Sequence, residues 1–346
     1  VDTLKDPIPG EPPGFSVSAA GRDRLLLTLL AVMVVGALVQ ITFGGVVRVT
    51  ESGLGCPDWP LCHGSIIPKF EYHTMIEWSH RTIGSLVGLA FIAAVIRVWI
   101  AHRHNVFLVA TTTGSLILIA IVGGIGGAVV LSEVEPSLRT LHLGLAEGVV
   151  LLSVLAFATA VTGWMPKQIS GTSSDHARAA LESARDLVTT RRVVNLAAFL
   201  AIATLLSGSY AVWRGAGAVC PSWPLCGGSL IPGSELVWIH AAHRLLAAMA
   251  TIVTFWAAHR AYRLPGASPA VRLLALGALA TMAAQIIVGA ANPWTDFSEW
   301  AQVIHLSLAT IVWTDIILLS AVLSMRPYGR KAEPGPERGT QELVNA

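Results

Sequence analysis

Four histidines and one glutamate are the residues of this chain best placed to do chemistry. His80, His142, His243 and His305 each fall near the same end of a long apolar stretch, and His80 to His243 and His142 to His305 are both 163 residues apart. A lone histidine inside an apolar helix commonly serves as a polar packing residue. Four at matched depth, on stretches that would face one another, read instead as ligands mounted in bundle interiors. Two neutral imidazoles from opposite sides suit the axial positions of a haem iron. No Cys, Met or carboxylate set at equal depth competes for that role, so one bis-histidine haem site per half is expected. A zinc site would need three or more protein ligands, and only His240, His243 and His305 offer that by spacing. Glu77 breaks the symmetry: it precedes His80 by one helical turn, and its counterpart 163 residues on is His240. A carboxylate about 4.5 Å along a helix from a ligand, in an apolar setting, is poorly explained as packing. It is expected to have a chemical task in the first half only.

Around these residues the chain repeats itself. Cys56-Pro57-Asp58-Trp59-Pro60-Leu61-Cys62 returns as Cys220-Pro221-Ser222-Trp223-Pro224-Leu225-Cys226, and the match continues through Gly64, Ser65, Ile67 and Pro68 against Gly228, Ser229, Ile231 and Pro232. A repeat of this length sets the architecture as two copies of one unit. All four cysteines lie in these loops. Of the three possible pairings, the repeat favours two local rings, Cys56 with Cys62 and Cys220 with Cys226. The Trp-Pro pairs make each loop stiff and amphipathic, as a lid over a bundle mouth would be. Arg81 and Arg244 directly follow two of the histidines, where a guanidinium could pair with haem propionates or simply reach the membrane interface. Gly123, Gly124, Gly126 and Gly127, matched by Gly289, Ala290 and Ala291, permit close helix packing and would also suit a porphyrin face. His63, His73, His102, His104, His176 and His259 fall in loops or at helix ends and read as surface residues.

The elements that must hold these side chains are membrane helices. Of 346 residues, 53% are hydrophobic and 13% charged, with mean hydropathy +0.64, which excludes an ordinary water-soluble domain. Eight apolar segments of spanning length are expected near 25–47, 75–100, 107–131, 139–163, 193–213, 236–258, 271–291 and 301–325. The fold class is thus an all-α polytopic membrane protein, two tandem four-helix bundles related by pseudo-twofold symmetry. Four spans per half give both copies the same orientation. The expected divisions are a tail over 1–24, a bundle over 25–164, a linker over 165–192, a second bundle over 193–325 and a tail over 326–346. Val1 to Ala20 has no apolar run of the kind that marks a signal peptide. Lys and Arg gather on alternate connections, including Arg22 and Arg24, Arg97 and Arg103, Arg191 and Arg192, and Arg326 and Arg330. The positive-inside rule then places both termini in the cytoplasm and both cysteine loops outside.

The joint pattern of the twofold four-helix repeat, the Cys-x5-Cys loops with Trp-Pro-Leu-Cys, Glu77-x-x-His80-Arg81, His142, His243 and His305 resembles the haem A synthase (CtaA) family. The resemblance covers the chain from the first span to the eighth. It implies oxidation of the C8 methyl of haem O to the formyl of haem A for cytochrome oxidase assembly, in a bacterial cell membrane. It further implies a substrate haem at His80 and His142, haem b at His243 and His305, and Glu77 as the catalytic residue. Haem O synthase and oxidase assembly factors are the implied partners, together with an electron donor and a thiol-disulfide partner for the cysteine loops; a lipid bilayer is the setting and no nucleic acid is involved. Two other classes fit parts of the pattern. A dihaem electron-transfer cytochrome would not need Glu77, and a membrane thiol-disulfide oxidoreductase would not need four matched histidines. A transporter, the third alternative, is disfavoured by the scarcity of charge within the spans.

Overall fold

The computed structural model describes residues 23–163, 177–226 and 233–325. Both expected tails except Asp23 and Arg24, residues 165–176 of the expected linker with His176, and the loop residues Gly228, Ser229, Ile231 and Pro232 lie outside them. The described residues form eight long helices: α1 (Arg24–Val49), α2 (Tyr72–Ala101), α3 (Val106–Leu131), α4 (Pro136–Thr162), α5 (Ala177–Trp213), α6 (Glu235–Arg263), α7 (Pro269–Trp294) and α8 (Glu299–Ser324). Each is long and apolar enough to cross a membrane, so the chain is an all-helical multi-pass membrane protein. One short 3-10 turn, Ser52–Leu54, follows α1.

The helix starts are written into the chain. Asp23 and Asn105 accept the N–H of Leu26 and Leu108. Ser234 and Ser268 do the same for Val237 and Val271, and Pro follows the cap in α4 and α7. Each cap satisfies an N–H that a helix end otherwise leaves open. The largest departure from expectation is α5, which begins at Ala177 and not near 193. The stretch Ala-Arg-Ala-Ala-Leu-Glu-Ser-Ala-Arg is polar enough to read as a linker, but it is built from strong helix formers, and the helix runs through it.

Why the helices need a bilayer is visible on α2. Val87, Phe91, Ala94 and Val98 are buried, while Leu86, Leu89, Ile96 and Trp99 on the opposite face are exposed. A helix apolar on both faces is at home only in lipid. Within the bundle, α4 and α8 are central: 50% and 44% of their spans are buried, against 11–28% for the other six. They touch each other, and each also packs on α1 and α5. The outer helices α2, α3, α6 and α7 flank this inner set.

Local contacts recur at the repeat spacing. The turns from α3 to α4 and from α7 to α8 both pass through left-handed residues, Glu133 and Val134 in one, Asp296 and Phe297 in the other. In both, the second residue's N–H bonds back to a carbonyl five residues earlier, Val134 to Val129 at 2.8 Å and Phe297 to Asn292 at 2.7 Å.

At the end opposite the cysteine loops, α1 is pinned by its own cap. Asp23 Oδ2 meets both Arg97 Nη2 and His102 Nε2 at 2.8 Å. His102, expected at the surface, is in fact 4% exposed, because this pairing draws it under the end of α1. Burial works against ionisation of Asp23, but hydrogen bonds from His102, Leu26 N–H and Arg97 outweigh it and leave its pKa at about 2. A depressed acid stabilises the fold above its unfolded value near 4 and loses that contribution as pH falls through about 2. Asp23→Ala should therefore lower stability by about 1–2 kcal/mol at neutral pH, combining cap and ion pair. Thermal unfolding in detergent should show this difference at pH 7 and a smaller one on acidification below pH 3.

Candidate functional site

Each candidate ligand sits at a set depth below the cysteine-loop end. His80 and His243 lie eight residues into α2 and α6, about 12 Å along the axis, and His142 and His305 six residues into α4 and α8, about 9 Å. His80 and His142 are close enough to interact electrostatically, as are His243 and His305. The structure thus gathers the four residues as two pairs, one per half.

Glycines admit the rings. A Cβ on Gly126 would lie 3.1 Å from His142 Cε1, and one on Gly289 the same distance from His305 Cε1. On α1 and α5, Gly44 and Gly208 take the corresponding places, their would-be Cβ atoms 3.3 and 2.8 Å from His80 and His243 Cε1. Four small residues on four helices therefore let four imidazoles approach the backbone closely. Gly127 admits a different ring: its Cβ would lie 2.7 Å from Trp59. Gly123 and Gly124 face open space.

The ring partners differ between halves. His243 Nδ1 lies 3.1 Å from the Thr204 carbonyl and 3.0 Å from Ser207 Oγ. A carbonyl can only accept, so Nδ1 carries the proton and Nε2 is left to bind a metal. His80 is steadied by Gln40, whose Nε2 lies 3.2 Å from ring Nδ1 and 3.3 Å from ring Nε2 and donates to the His80 carbonyl at 3.0 Å, and by Phe43 stacked on its ring at 6.3 Å. Nδ1 of His142 and of His305 is buried with no hydrogen bond among the described residues. Ligand groups of this kind, paired across a bundle and backed by glycine, fit a flat macrocycle with an axially ligated iron. No group of three His, Cys, Asp or Glu side chains converges as a metal site among the described residues, and His240 Nδ1 is engaged by the Ala216 carbonyl at 2.8 Å. The three-histidine zinc arrangement does not form.

Glu77 is 5% exposed, and its Oε1 accepts from Arg81 Nε at 2.9 Å. Arg81 Nη1 and Nη2 donate to the carbonyls of Asp58, Leu61 and Cys56. Arg244 repeats the grip on the carbonyls of Ser222, Pro224 and Cys220. Each arginine thus clamps its cysteine loop to the helix carrying the ligand. The loops are closed by Cys56–Cys62 and Cys220–Cys226 disulfides. In the first, the N–H groups of Gly64 and His63 hold the Asp58 carboxyl below its usual range. Trp59 packs on Gly127, and Trp223 meets Trp294 edge-on at 6.1 Å.

Two intramembrane acids escape motif reading. Glu147 is 1% exposed, its Oε1 accepting from Thr310 Oγ1 at 2.6 Å while Oε2 has no hydrogen-bond partner among the described residues. Thr310 is its counterpart 163 residues on, so the bond joins α4 to α8 between the halves. Asp315 of α8 accepts from Thr281 of α7 at 3.0 Å. The available signal was a lone carboxylate in an otherwise uncharged span, which marks a functional or interhelical role but names no partner.

The chain is 31% identical over 281 residues to the heme A synthase of Symbiobacterium thermophilum, spanning 80% of this chain and 88% of that protein. It is 27% identical over 324 residues to the heme A synthase of Geobacillus thermodenitrificans, spanning 90% and 97%. The heme A synthase of Mesorhizobium japonicum is 27% identical over 316 residues, spanning 78% and 83%. Residues 26–317 match the family COX15-CtaA, described as cytochrome oxidase assembly protein. With all eight spans wholly or largely inside that match, the chain belongs to the COX15-CtaA family of cytochrome oxidase assembly proteins.

Proposed function

We propose that this chain forms haem A from haem O by oxidising the C8 methyl of the porphyrin to a formyl group, with the reaction in the first half and a resident haem b in the second. The observation that carries this reading is the difference at one matched position: Glu77 beside His80, against His240 beside His243. Two ligand pairs with equivalent glycine surroundings provide two haem sites, and only one of them has a buried carboxyl at hand. A purely electron-carrying dihaem protein gives no task to that difference.

His80 and His142 hold the substrate haem, and His243 and His305 hold haem b. The bound haem supplies the redox-active iron and, in the first half, the methyl group that is oxidised. The remaining work belongs to the chain. Thr204 and Ser207 orient His243, and Gln40 and Phe43 orient His80. Arg81 holds Glu77 by its Oε1, leaving the second oxygen to meet developing positive charge or to move a proton at the porphyrin edge. The disulfide loops, external in this reading, cover the mouths and keep water from the reacting carbon. Partners are the enzyme that supplies haem O and the oxidase assembly machinery that takes haem A.

Glu77→Gln, nearly isosteric, should keep haem in both halves and lower conversion of haem O to haem A by roughly 100-fold or more. Chromatography of extracted haems reads the product, and pyridine haemochrome spectra read occupancy. Unaltered conversion would leave the active half without its acid and favour the electron-transfer reading.

The glycine distances make a separate prediction about the sites themselves. Gly208→Ala puts a Cβ within 2.8 Å of His243 and forces the ring to move, whereas Gly44→Ala meets His80 at 3.3 Å. Haem occupancy of the second half should fall markedly in the first variant, with a smaller loss from the first half in the other. Equal, full occupancy in both would show that these rings are not held as ligands.

A further inference from the structure

Arg48 and Arg139 are half-buried guanidinium groups near the cysteine-loop end of the contact between halves, and among the described residues neither forms an ion pair with a carboxylate. Arg48 Nη1 donates to the neutral amide Oε1 of Gln302 at 3.0 Å. Arg139 lies over the Trp213 ring, its Cζ 4.0 Å from the centroid, with Nε buried and unbonded. Glu135, one turn before Arg139, is exposed, accepts from Ser137 Oγ and the Leu138 N–H, and acts on Arg139 only from a solvent-facing position without a direct ion pair. A cation withdrawn from water without an anion is costly, so Arg48 calls for one, and Arg139, whose Nε is buried and whose acidic neighbour Glu135 is exposed and screened, can take one on its buried side.

The two arginines stand in equivalent places reached by different routes. Arg139 is one turn before His142, and its counterpart at the repeat spacing is Gln302, one turn before His305. In the first half the turn above the ligand carries the cation itself. In the second it carries an amide that recruits a cation from α1. Gly45 permits that approach, since a Cβ there would lie 3.1 Å from Leu306 and 4.0 Å from Val303, on either side of His305. By contrast, Arg81 already uses four of its five N–H groups on Glu77 and loop carbonyls.

We propose that Arg48 and Arg139 bind carboxylates of the macrocycle held by each histidine pair, Arg139 at the His80–His142 site and Arg48 at the His243–His305 site, so that the second site is completed by a residue of the first half. This rests on the haem reading above. A lipid phosphate offers the same anionic chemistry from another source, and the test separates the two.

The full-length protein, freed of haem and placed in neutral-lipid nanodiscs, is titrated with haem b and with its dimethyl ester, whose propionates are masked. Wild type should bind the ester roughly 10- to 100-fold more weakly, as expected for a charge-assisted hydrogen-bonded pair. Arg48→Gln should abolish this preference at the His243–His305 site, read in a His80→Ala background. Arg139→Gln should abolish it at the other site, read in a His305→Ala background. Arg48→Lys, which keeps the charge and loses the planar fork, should retain part of the preference and so guards against a folding defect in the Gln variant. An unchanged preference in both Gln variants overturns the inference. So does an arginine effect that ignores the ester and appears only with anionic lipid, which assigns the groups to headgroups. If wild type binds no haem, or binds it independently of the histidines, the haem reading itself fails.

Discussion

A single hydrogen bond at the centre of the molecule, Thr310 Oγ1 to Glu147 Oε1 at 2.6 Å, ties α4 to α8. These two helices are the most buried in the structure, and each carries one histidine of one pair, His142 or His305. In hydrocarbon there is no water to satisfy a polar group that loses its partner, so a bond of this kind is held more firmly than its counterpart on a wet surface. The two halves are therefore joined through the same helices that mount their sites. A shift of α4 against α8 would displace both.

Around that axis the structure solves a problem of access. Imidazoles must stand inside an apolar bundle with one nitrogen directed inward, and bulky neighbours on the facing helix would push them aside. Gly44, Gly126, Gly208 and Gly289 remove that obstacle, each under a ring carbon of a different histidine. The same economy holds at the mouths, where Trp59 lies on Gly127. The arginines beside the ligands then take on a structural duty. Arg81 and Arg244 bind three loop carbonyls each, which couples the position of each disulfide loop to that of the ligand helix beneath it.

Equivalent scaffolds carry unequal chemistry. Glu77 and His240 are both buried at matched positions, but one is an acid gripped by its neighbour and the other is satisfied by the Ala216 carbonyl. The difference is compatible with a common frame, because the loop clamps of Arg81 and Arg244 recur in both copies of the repeat. Contact between the copies is equally visible in Arg48, which reaches from α1 to Gln302, one turn before His305.

The chain's order of residues determined a good deal without any coordinates. Eight spans, the two cysteine rings, the four histidines and the family resemblance all follow from local composition and a repeat, since membrane helices need only a run of apolar residues and a six-residue ring closes on itself. The helical character of residues 177–192 was hidden because polarity and helix propensity point to different conclusions there. What only the tertiary structure decided concerns contacts between residues far apart in the chain. That Glu147 meets Thr310, that Asp23 draws His102 under a helix end, that Arg81 and Arg244 grip their loops, and that Arg48 reaches Gln302 all depend on which faces of which helices meet. Periodicity cannot fix those faces when lipid-facing and protein-facing sides are equally apolar, and the packing of α4 against α8 is what settles them.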